Sequence, residues 1–191
     1  MSRVAFRSAP GSGGAPQVPP GLESAIDTTA TSAAVELFAA YRVTIAPVTG
    51  PEVQLPIPDL SALGIVRFTA PGLTGTTVLG LSTGTLRRSN MRGTSDRDWV
   101  AELANQYIGR FKLKLLRMGF ELWSMTPVAV TGRLLITAVS QPGTAPVEFR
   151  DVNGGAVACW MQIEINGPLK ITPPASDAAI PHEGDLILFD S

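Results

Sequence analysis

Four residues near the middle of this 191-residue chain have types and spacing suited to chemistry: Asp98, Glu102, Asn105 and Gly109. Positions three and four apart are neighbours on a helix surface, so on a helix these four fall along one line. Asn105 offers no useful acid or base. Its carboxamide accepts hydrogen bonds at one end and donates two at the other, so its chemical use is positioning. That suits holding a water in line with a phosphorus atom, because phosphoryl transfer through a loose transition state depends mainly on alignment and charge neutralisation. Glycine inside a helix costs about 1 kcal/mol against alanine. Gly109, one turn beyond Asn105, would leave a bare patch where another surface could come close to the carboxamide. The competing reading is a solvated polar face with an incidental glycine, and most exposed Glu and Asn side chains do have no special task.

The element that must position them is the stretch from Thr94 to Gly119, which the spacing predicts as one long amphipathic helix. Thr94 or Ser95 can act as N-cap, with Asp96 and Asp98 in the first turn, where the helix dipole favours negative charge. Lys112, Lys114 and Arg117 gather near the other end, and Gly119 follows as a left-handed terminator. Val100, Leu103, Ala104, Tyr107, Ile108, Phe111, Leu115 and Met118 recur at three- and four-residue intervals and make one buried stripe. Leu113 and Leu116 lie toward the polar side, where they would pack under a loop, against a second subunit or against a partner.

Other chemistries fit less well. Asp96, Asp98 and Glu102 all come from one helix, whereas a cation with oxygen ligands needs donors converging from several directions, so no intrinsic metal site is expected. His182 sits in a Pro-flanked loop and Cys159 among strand residues, so neither reads as part of a nucleophile–base pair. Two-carboxylate hydrolysis would need Asp98 and Glu102 on opposite sides of a substrate, which adjacent turns of one helix do not provide.

The run Asp98-x3-Glu102-x2-Asn105, with Gly109 four residues on and Pro127 further along, resembles the signature of the CheC/CheX/FliY chemotaxis phosphatases. That signature is Asp or Ser, three residues, Glu, two residues, Asn and a later Pro. The following FELWSMTPVAVTG, Phe120 to Gly132, is similar to the family as well: a short strand, Thr-Pro, then a Val-rich strand closed by Gly. The close likeness covers roughly residues 96–136. It implies a phosphatase that hydrolyses the aspartyl-phosphate of a CheY-like response regulator. Asn105 would orient the in-line water, Glu102 would pair with a lysine of the regulator, and Mg²⁺ would come with the regulator, no cofactor being intrinsic. Asp98 and Gly109 would belong to the docking surface, Pro127 to the framework. A homodimer joined at sheet edges is also implied. The alternative is a non-catalytic module of the same fold that binds a regulator or joins a flagellar-switch-like assembly.

Hydrophobic residues make up 45% of the chain and charged residues 16%, which predicts a globular body. A formal charge of −1 argues against a nucleic-acid-binding surface. One cysteine cannot form an internal disulfide, which fits a cytoplasmic protein, and no apolar run approaches the roughly 20 residues of a membrane span.

Residues 1–21, rich in Gly, Pro and Ser, read as a flexible leader, and residues 22–191 as a single domain. A first helix is predicted from Leu22 to about Arg42, weakened by Thr28, Thr29, Thr31 and Ser32. Pro47 to Asp59 reads as loop or edge strand. Leu63 to Ala70 and Gly75 to Ser82 read as strands joined by a Pro-Gly turn. The family has a further helix after this hairpin, but Ser82 to Gly93 carries too few apolar residues for more than one turn. Leu122 to Thr126, Val128 to Thr131 and Leu134 to Val139 are strand material, and Val147 to Val152 and Ala156 to Ile165 flank the hairpin dipeptide Asn153-Gly154. Lys170 to Glu183 reads as loop and Gly184 to Ser191 as a last strand. The expected architecture is α+β, with long helices packed on one face of a mostly antiparallel sheet, CheC/CheX-like.

Overall fold

The computed structural model describes residues 5–8, 18–48, 60–132 and 146–171. The expected strands at 134–139 and 184–191, the loop from 172 onward with His182, and most of the Pro-rich run at 49–59 lie outside these residues. The described elements follow in the order β1 (Ala5–Ser8), α1 (Leu22–Ala40), β2 (Ile45–Pro47), β3 (Leu60–Ala70), β4 (Leu73–Ser82), α2 (Thr83–Ser89), α3 (Asp96–Arg117), β5 (Trp123–Ser124), β6 (Val128–Thr131), β7 (Val147–Asp151) and β8 (Ala156–Ile165). The strands form one sheet in the order β2-β7-β8-β4-β3-β5, with β1 also on β8 and β6 also on β3. Every pairing is antiparallel except that of β1 with β8. This is the α+β class the sequence predicts.

The β3–β4 hairpin turns on Pro71-Gly72, with Gly72 at φ +84°. Proline then glycine in these positions is the signature of a type II turn, whose third residue needs positive φ. The second hairpin closes through Asn153-Gly154, with Gly154 at φ +77°. Helix α3 crosses the face formed by the hairpin, and its Val100, Leu103, Ala104, Tyr107, Ile108, Phe111 and Leu115 are all buried, as the periodicity requires. They share one core with Leu37 and Phe38 of α1, Leu86 of α2, and Ala62, Val66, Phe68, Leu79 and Leu81 of the hairpin. Phe68 and Phe111 meet edge to face at 6.0 Å between centroids.

Two expectations are corrected. The segment after β4 is a seven-residue helix, α2, rather than a single turn. Its buried residues are Thr85, Leu86 and Ser89, and two of the three are polar, which hid the pattern. Their hydroxyls are satisfied from afar: Thr85 donates to Asp151 Oδ2 at 2.9 Å and Ser89 accepts from Trp99 Nε1 at 3.0 Å. Ser82 caps the helix by accepting from the Thr85 amide. The second correction concerns the leader, where residues 5–8 pair in parallel with Gln162 to Ile165 of β8 instead of lying free. The threonines expected to weaken the first helix do not interrupt it; α1 runs unbroken for 19 residues.

Candidate functional site

Helix α3 begins at a cap of its own making. The Ser95 hydroxyl accepts from the Asp98 amide at 3.2 Å and donates to Asp98 Oδ2 at 2.6 Å. Asp98 is therefore part of the helix start, and one face of its carboxylate is used there. Thr94, the other candidate cap, instead exchanges hydrogen bonds with Asn90. The helix ends in a Schellman motif: the Gly119 amide donates to Leu116 O and the Phe120 amide to Leu115 O, both at 2.9 Å. Gly119 takes φ +85°, and the two apolar residues flanking the motif, Leu115 and Phe120, are buried.

Between these ends the polar face carries Asp98, Glu102 and Asn105 exposed to solvent and Gly109 half-buried. Four- and three-residue steps place neighbouring Cβ positions roughly 5–6 Å apart. Among the described residues no hydrogen bond occupies the Asn105 carboxamide, so both its ends are open to a water or a partner. Beyond its own helix, a Cβ added at Gly109 would meet nothing within 4 Å among the described residues, so their packing does not require glycine there. The bare patch beside Asn105 is real surface.

Glu102 is not free. Gln106, one turn on, donates from Nε2 to Glu102 Oε1 at 2.6 Å. The Tyr41 hydroxyl donates in turn to Gln106 Oε1 at 2.7 Å. Tyr41 is the C-cap of α1, and its ring stands edge-on to Trp99 with centroids 5.0 Å apart. Sequence reading did not single out Gln106, Tyr41 or Trp99. The Glu102–Gln106 spacing was visible as a four-residue step, but the contact from Tyr41 reaches across 65 residues and had no local signal.

Two further ion pairs fasten the scaffold under the site. Lys114 of α3 meets Glu36 of α1 at 2.7 Å. Burial pushes the Glu36 carboxyl up, but Lys114 and Ser32 outweigh it and hold the group below its usual range. Arg88 of α2 pairs with Asp151 at the β7–β8 turn. Burial again works against the Asp151 carboxylate, and Arg88, the Thr85 hydroxyl and the Gly155 and Asn153 amides together hold it low. Cys159 is fully buried, and its thiol is pushed up to about 12 by that burial, so it is no nucleophile. Among the described residues no three His, Cys, Asp or Glu side chains come together as a metal site, and no helix is long and apolar enough to cross a membrane. Pro127 stands immediately before β6, where it opens the strand.

The fold as a whole has counterparts among solved structures. The chain is similar to a CheC-like superfamily protein from Shewanella sp. PV-4, with TM-score 0.60 and 17% identity over 72% of this chain and 97% of that one. The chain has the CheC/CheX fold. The chemotaxis protein CheX from Vibrio vulnificus matches with TM-score 0.55 and 18% identity, over 73% of this chain and 97% of its own. A CheX–CheY–BeF3–Mg²⁺ complex from Borrelia burgdorferi matches with TM-score 0.51 and 15% identity, over 74% of this chain and 96% of that one. No family model and no curated protein matches the chain.

Proposed function

We propose that this chain binds a CheY-like response regulator and hydrolyses its aspartyl-phosphate. The observation that carries this reading is the pairing of an exposed, unencumbered Asn105 with an anchored Glu102 one turn away, on a helix of the CheC/CheX fold. One neighbour of that fold was solved together with CheY, which supports a regulator as the partner here.

Asn105 enters the regulator's site and holds a water in line with the phosphorus. The water oxygen forms the new P–O bond, the bond from phosphorus to the aspartate oxygen breaks, and inorganic phosphate and a free carboxylate result. Alignment is the main contribution a neutral amide can make, and Mg²⁺ carried by the regulator neutralises the charge. Glu102 pairs with a lysine of the regulator, and Asp98 and Gly109 border the contact. Two copies of the chain meet along a sheet edge: among the described residues β6 pairs with β3 alone, and Val128 and Val130 on it are exposed, as are Trp123 and Met125 nearby.

The test is decay of a phosphorylated receiver domain in Mg²⁺, with and without the protein, beside Asn105→Ala and Glu102→Ala. Accelerated phosphate release that Asn105→Ala abolishes while binding persists supports the mechanism. Acceleration that survives Asn105→Ala places the chemistry elsewhere. Binding without acceleration makes the protein a docking module.

A further inference from the structure

Glutamate on an exposed helix face ordinarily samples many rotamers, and a partner that needs one of them must bear the loss of that freedom. Glu102 is arranged otherwise. The Gln106 amide can face it in only one way, because a carboxylate accepts and cannot donate, so the NH₂ end must turn to Glu102. That leaves Gln106 Oε1 toward α1, where the Tyr41 hydroxyl donates to it at 2.7 Å. Tyr41 is itself held: its ring abuts Trp99, which is 2% exposed and donates to the fully buried Ser89 hydroxyl of α2. A continuous chain thus leads from the buried core at α2, through Trp99, Tyr41 and Gln106, to Glu102 Oε1.

We propose that Gln106 and Tyr41 are positioning residues for Glu102. They fix the carboxylate before a partner arrives by occupying Oε1, and leave Oε2 for a cationic group of that partner. This rests on the docking role given to Glu102 above. The arrangement also makes the C-terminus of α1, remote in sequence, part of the determinant of regulator affinity.

Tyr41→Phe tests it, since the ring stays against Trp99 and only the hydroxyl is lost; Gln106→Ala removes the link itself. With a phosphorylated receiver domain, both variants raise KM roughly three- to tenfold with a much smaller change in kcat, the pattern of lost ground-state binding. In a Glu102→Ala background, Tyr41→Phe adds nothing further. Wild-type KM in both variants overturns the proposal, and so does an additive double variant, which would mean direct contact with the partner. The side-chain NH₂ resonance of Gln106 in the free protein separates this proposal from the proposed function. It shifts in both Glu102→Ala and Tyr41→Phe if the chain of bonds holds, even should the protein prove inactive, and its indifference to both overturns the inference.

Discussion

Gly64 of β3 lies directly beneath Ala104 of α3. A Cβ built on the glycine would stand 2.5 Å from Ala104 Cβ and 2.8 Å from the Val100 carbonyl oxygen. The site helix therefore rests on the sheet through a contact that admits no side chain. Gly64→Val should lift α3 and cost about 1–3 kcal/mol, the usual range for overpacking. Urea denaturation reads the loss as a lower midpoint at unchanged slope, and an unshifted midpoint would show that the helix can move aside freely.

Gly109 carries the opposite expectation. Among the described residues no neighbour outside the helix stands near its missing Cβ, and a helical glycine is about 1 kcal/mol worse than alanine. Gly109→Ala should stabilise the fold by up to that amount while weakening association with a phosphorylated regulator. A variant that gains stability and loses turnover places the glycine in the interface. One that gains stability with full turnover makes it incidental.

The Asp151 carboxylate should set part of the acid limit of the fold. Its folded pKa lies below the ordinary value of 3.8, so the stability it contributes is present above that value and drains away as pH falls through the folded one. Asp151→Asn keeps the shape, removes the charge facing Arg88, and should cost about 1–3 kcal/mol at neutral pH. Its stability should also change less than that of wild type between pH 5 and about 2. Parallel acid profiles for the two proteins would remove Asp151 from the account.

At the β6 edge, Val130 is 38% exposed and points to the face away from α3. A lysine there is tolerated by the monomer but disfavours strand-to-strand pairing. Sedimentation should find wild type dimeric and Val130→Lys monomeric. A monomeric wild type would end the dimer reading, and a dimer that survives the lysine would move the contact to another surface.

Helix α3 was legible because cap, stripe and terminator agree along one continuous segment, and the structure keeps Ser95, the buried stripe and Gly119 in those roles. The hairpins were legible because Pro71-Gly72 and Asn153-Gly154 demand turns by local stereochemistry. The α2 helix escaped because its buried Thr85 and Ser89 are paid for by hydrogen bonds to Asp151 and Trp99, which lie 66 and 10 residues away. Strand β1 escaped for a related reason: a Gly/Pro-rich composition describes the leader's average, while four of its residues find an open edge on β8, near the other end of the chain. Within the site, the exposed face of α3 could be read directly. The hold that Tyr41 places on Gln106 could not, because helical periodicity says nothing about what an adjacent helix brings. Arg110 shows the same limit, being only 8% exposed on a helix whose apolar stripe does not include it.

Because Asp98, Glu102, Asn105 and Gly109 all ride on one uninterrupted helix, their relative bearings are set by its pitch alone. An α-helix advances about 1.5 Å and turns about 100° per residue. Inserting or deleting a single residue between Asp98 and Gly109 would swing everything beyond it by more than a quarter turn, carrying the apolar stripe to solvent and the carboxamide toward the core. The segment can drift in letter but not in length. The shared bearing of these four positions therefore depends on the count of residues between them and not on what those residues are.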